Sequence, residues 1–230
     1  QFYQEILEEK SNDPGVRLET ARACVRVGKI LLQLGQPVEA EQALFQGAEY
    51  FEKLCTDFPQ NDNYRLEQAD CVREIAHLYK EKRDFERAQQ AYRRAIAIQE
   101  KILAESPGST DCQANLANSL INLATVLDLD STPDDPVSII HRAIELQKGV
   151  LASSPEDIGF RSELALSLDD LGSWLWHKDQ HEEAEGLWRE ALEIRKRVYA
   201  EDPAPDGTRQ YLARSYCHLA GMLAAQNRHW

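Results

Sequence analysis

The chain repeats itself every 48 residues. Pro59, Pro107, Pro155 and Pro203 are evenly spaced, and Ala21, Ala69, Ala117, Ala165 and Ala213 keep the same interval. A period in this range means a repeat array, in which each unit buries its apolar face only by stacking on its neighbours. Such arrays offer an extended surface rather than a closed, water-excluding pocket, so the period points away from catalysis.

One period reads as two helices. Counted from its alanine, each unit places Cys24, Val72, Leu120, Leu168 or Tyr216 fourth. The seventh and eighth places pair a large apolar residue with a minimal one: Val27-Gly28, Ile75-Ala76, Leu123-Ala124, Leu171-Gly172 and Leu219-Ala220. Leu31, Tyr79, Leu127, Leu175 and Leu223 follow. This is an amphipathic helix with one small place where a second helix approaches closely. The second run alternates small Ala40, Ala88 and Ala184, bulky Leu44, Tyr92, Ile140 and Trp188, and small Gly47, Ala95, Ala143 and Ala191.

That order resembles the tetratricopeptide signature, W-x2-L-G-x2-Y, then A-x3-F, A and a closing P. Apolar columns continue past the minimal unit of about 34 residues, through Tyr50, Ile98, Leu146 and Ile194 to Leu54, Ile102, Val150 and Val198. Each second helix should therefore run roughly two turns longer before proline stops it. The segments Tyr64 to Ala69, Glu86 to Lys101 and Phe160 to Ala165 resemble the tetratricopeptide arrays that follow the kinase domain in certain bacterial serine/threonine protein kinases. No kinase motif such as H-R-D or D-F-G is present.

The expected fold is all-α, a right-handed solenoid of paired antiparallel helices with about four and a half repeats, counted as one domain over 1–230. Residues 1–15 read as the end of a preceding repeat, because Phe2 and Ile6 fall in the columns of Tyr50 and Leu54. Repeats follow at 16–63, 64–111, 112–159 and 160–207, and 208–230 supplies the first helix of a fifth repeat or a cap. First helices are expected at about 16–34, 64–81, 112–129, 160–177 and 208–226, and second helices at about 37–57, 84–105, 135–153 and 181–201.

Composition excludes several classes of partner. A net charge of −13 opposes binding to nucleic acid or an anionic membrane, which both need a basic footprint. No apolar run approaches the ~18 residues of a membrane span. Five cysteines without a C-x-x-C pair read as reduced thiols, hence a cytoplasmic chain. His177 and His181 stand four apart, but where the chain should turn, and without an H-E-x-x-H pattern they read as solvated. The acidic run Asp128 to Pro136 lacks the glycine and glutamate of a calcium loop. It reads instead as a long turn in which Asp135 caps a helix begun by Pro136. Neither a catalytic grouping nor a cofactor motif is present, so no enzymatic activity and no cofactor are expected.

The resemblance assigns the first helix of each unit to a concave groove. It places Arg22, Arg26 and Lys29 there from the first unit, and Arg73, Glu74, His77 and Lys80 from the second. Asn118, Asn122 and Thr125 come from the third, and Asp169, Asp170, Ser173 and Trp176 from the fourth. The set runs from basic to acidic, which implies a protein or peptide ligand with an acidic and a basic end, anchored on Trp176. A regulatory arm folded on a fused kinase or protease domain of the same chain, and a spacer or self-association element, are the alternatives; the oligomeric state is left open.

Overall fold

The computed structural model describes residues 13–127, 135–202 and 206–226, all in helices and their turns. The helices are α1 Pro14–Gln33, α2 Pro37–Asp57, α3 Asp62–Glu81, α4 Phe85–Glu105, α5 Thr110–Ala124, α6 Pro136–Ser153, α7 Ile158–His177, α8 His181–Glu201 and α9 Asp206–Gln226. They group into two compact units, Gln1–Asp128 with α1 to α5 and Leu129–Trp230 with α6 to α9. The sequence reading counts a single repeat domain; the division falls inside the third repeat, between α5 and α6. The expected helical tail of residues 1 to about 10 and most of the acidic run, 128–134, lie outside the described residues.

First helices α1, α3, α5 and α7 begin two residues before the expected starts because a polar residue caps each one. Asp13, Asn61, Ser109 and Asp157, themselves 48 apart, accept backbone N–H bonds from the first turn. Asp135 caps α6 and Pro136 is its first residue, as expected. Helix α5 ends at Ala124 rather than near residue 129, and Thr125 and Val126 already form a turn. Leu127 is still buried, so its column survives although the helix does not.

Between the two helices of a repeat the chain turns through one left-handed residue, Gly35, Arg83 or Asp179. The next amide then reaches back to Leu31, Tyr79 or Leu175 O, satisfying a carbonyl that the helix end leaves free. These places too fall on the 48-residue period, which skips the third repeat here.

Packing follows the apolar columns. Leu44, Tyr92, Ile140 and Trp188 are buried, Leu44 against Gly28 and Trp188 against Gly172 of the preceding helix. A Cβ on Gly28 would meet Leu44 at 2.6 Å, and one on Gly172 would meet Trp188 Nε1 at 2.6 Å, so glycine there is a packing requirement. The columns fail at the ends. Val27 on α1 is 48% exposed and Tyr216 on α9 is 51% exposed, because each of these helices has a described neighbour on one side only.

A second set of columns, buried and mostly polar, was not anticipated. Phe51, Gln99, Gln147 and Arg195 are buried on the second helices, and Cys71, Ser119, Ser167 and Ser215 on the first helices that follow. Each member of one set lies 20 residues before its counterpart in the other. Burial pushes the Cys71 thiol up to about 12 and that of Cys112 to about 11, so both stay protonated and behave as small hydrophobes.

Candidate interaction surface

Consecutive first helices of a unit meet through side chains 45 residues apart, one period less about one helical turn. Arg22 pairs with Glu67, Lys29 Nζ lies 3.1 Å from Glu74, and Lys80 Nζ donates to Thr125 Oγ1 at 2.9 Å. The spacing returns in the other unit, where Arg214 Nε lies 3.3 Å from Asp169.

In the first unit the Arg22–Glu67 and Lys29–Glu74 pairs line a cleft of about 270 Å³ between α1 and α3. Its walls carry Arg22, Arg26 and Lys29 on one side and Glu67, Asp70, Arg73 and Glu74 on the other, over Phe51. Arg73 is itself held 3.4 Å from Asp70 and 3.5 Å from Glu74. The basic end of the expected gradient is therefore largely neutralised from within. The first-helix sequence hides this, because the acids that cancel α1 stand 45 residues further on. Arg26 is exposed and has no ion pair among the described residues. Burial raises the Asp70 carboxyl above its ordinary range, a desolvation that the Arg73 guanidinium only partly offsets.

His77 is mostly withdrawn from solvent: its ring nitrogen lies 3.1 Å from the Tyr92 hydroxyl, and burial lowers its pKa. It acts as a packing partner of Tyr92. Asn122 donates to Asn118 O at 2.9 Å, and Thr125 caps the end of α5.

In the second unit Asp169 is fully buried rather than open to a ligand. Its carboxylate accepts from Arg195, which also donates to Ser215, to Tyr211 O and to Ala165 O. Asp169 thus belongs to the packing of α7 against α8 and α9, a correction whose cause is Arg195, 26 residues away on a different helix. Asp170 stays accessible, with Arg214 at 3.6 Å, and burial raises its carboxyl. Ser173 donates to Asp169 O. Trp176 is half-buried, its ring centroid 4.1 Å from that of His181 and 5.5 Å from that of Trp188. Trp188 in turn lies 5.0 Å from His218, so Trp176 is one ring of a row that crosses α7, α8 and α9.

Among the described residues no group of three His, Cys, Asp or Glu side chains could hold a metal ion. His177 and His181 flank the α7–α8 turn, as the sequence implies. No described helix is long and apolar enough to cross a membrane.

The tetratricopeptide repeat family matches residues 164–204 and again residues 74–102. No curated protein matches the chain. Among solved structures it is similar to BtubC (BKLC) from P. vanneervenii, with a TM-score of 0.58 and 16% identity over 97% of this chain and 87% of that one. A signal transduction ATPase from Pyrococcus horikoshii with a tetratricopeptide repeat sensor gives 0.59 and 17%, over 95% of this chain and 30% of that one. The apo form of RapI gives 0.56 and 14%, over 96% and 82%.

Proposed function

We propose that this chain, a tetratricopeptide-repeat array, is a protein-interaction scaffold that holds a peptide or helix against the exposed face of its first helices. The observation that carries the reading is the α1–α3 cleft, where unpaired Arg26 stands over a floor of Phe51. Arg22, Lys29, Arg73, Lys80, Asn118, Asn122 and Thr125 complete that face in the first unit, with His77 set beneath it against Tyr92. Asp170, Ser173 and Trp176 form the corresponding surface in the second, and Asp169 orders it from below. In the first unit Arg26 fits a carboxylate of a partner; in the second, Asp170 and Trp176 fit a basic or aromatic side chain. Because rim charges act mainly on association, Arg26→Glu should slow binding in a salt-dependent way. Trp176→Ala should raise the dissociation rate, by the ~2 kcal/mol or more of an aromatic anchor. A partner recovered by pull-down that binds both variants with wild-type affinity, their circular dichroism being unchanged, rules the surface out. A cytoplasmic setting within a larger bacterial signalling protein, as the kinase-linked arrays suggest, belongs to the same proposal; the tetratricopeptide repeat sensor of the Pyrococcus horikoshii ATPase is consistent with it.

A further inference from the structure

On another part of the first unit, consecutive second helices leave a cleft that the groove reading does not use. Its volume is about 350 Å³. The floor is apolar, Val72, Ile75 and Tyr79 of α3, with Phe45 on the α2 bank and Arg87 and Arg94 on the α4 bank. The two banks differ in chemistry but share a spacing. On α2, Val38 is 61% exposed and Phe45, seven residues on, is 42% exposed. On α4, Arg87 and Arg94 are also seven apart and exposed. Seven residues are two helical turns, about 10 Å along the axis, so each bank repeats its feature along one stripe.

Arg94 has no ion pair among the described residues. Arg87 holds only its own cap, Asp84, at 3.5 Å, and lies 5.6 Å over the Tyr79 ring. An apolar bank facing a cationic bank over an apolar floor selects its occupant by charge. We propose that this cleft docks an acidic amphipathic helix: its apolar stripe covers Phe45 and the α3 floor, and carboxylates two turns apart meet Arg87 and Arg94. Helix-in-groove recognition supplies the apolar part and charge complementarity the orientation. In a chain of net charge −13, whose overall field favours basic ligands, these two exposed arginines supply the local positive charge that an acidic helix needs.

The test uses the full chain and a synthetic helical peptide about three heptads long, with leucine on one face and glutamate beside it. A control peptide has lysine in place of glutamate. The glutamate peptide should bind, with amide shifts in NMR spectra confined to Phe45, Ile75, Tyr79 and Ala91. Arg87→Glu/Arg94→Glu should weaken it about tenfold or more, with the fold retained because both side chains are exposed. Arg26→Glu should leave it unchanged, which separates this cleft from the α1–α3 surface. Equal binding of the lysine peptide, shifts on Arg22 and Glu74 instead, or an affinity unaffected by the double reversal would overturn the proposal. Shifts at the cleft that depend on protein concentration without peptide would also overturn it, assigning the cleft to a second copy of the chain.

Discussion

Gly172 has no room for a side chain, because the Trp188 indole occupies the space where a Cβ would point. Gly172→Leu should therefore cost on the order of 1 to 3 kcal/mol or more, read as a lower urea midpoint. This place was legible from sequence, since the alternation of bulky and minimal residues along the period marks it. Asp169 was not. Its position in the first helix is that of a surface residue, and only the fold brings Arg195 to it. Removing one partner of a buried pair leaves the other unpaired, so Arg195→Met should cost about 3–5 kcal/mol in the same melts. His77 gives a pH signature. Burial depresses its pKa in the fold, so below about 6.5 the unfolded chain takes up a proton that the native state refuses. The contribution of neutral His77 is fully present above that value and is lost as pH falls through it. His77→Gln should flatten the loss of stability as pH falls below about 6.5.

At the scale of the element, the ends of helices carry more information than their middles. The expected helix type and number held throughout the described residues, and only the starts of the first helices slipped, by two, because apolar periodicity says nothing about a capping side chain. Turns were harder to read. Only Gly35 among the left-handed residues advertises itself, whereas Arg83, at φ 58°, and Asp179, at φ 59°, look ordinary in sequence. Arg83→Gly should relieve the side-chain strain and raise stability by up to about 1 kcal/mol, measured by thermal melting. In three of the repeats the second helix is also tied to its first by charge. Arg17 with Asp57, Arg65 with Glu105 and Arg161 with Glu201 are all 40 residues apart. In the third repeat Gln113 and Ser153 stand at the equivalent places, so that repeat lacks the tie, and the boundary between the compact units falls there.

At the scale of the whole molecule, stability in such an array is a sum of units and nearest-neighbour contacts. Gly28→Leu, which crowds Leu44 between α1 and α2, should lower hydrogen-exchange protection in residues 13–127 and leave α7 and α8 nearly unchanged. A uniform loss across both units would contradict that locality. The pairing at 45 residues has a further consequence. Arg22, Lys29 and Lys80 are engaged twice on the proposed surface, once by a guest and once by the adjoining repeat. Substituting them alters the springs between repeats along with the handshake, so an affinity scan across these positions would record elasticity disguised as recognition. Arg26, engaged by neither neighbour, is the side chain whose mutation reports on the guest alone.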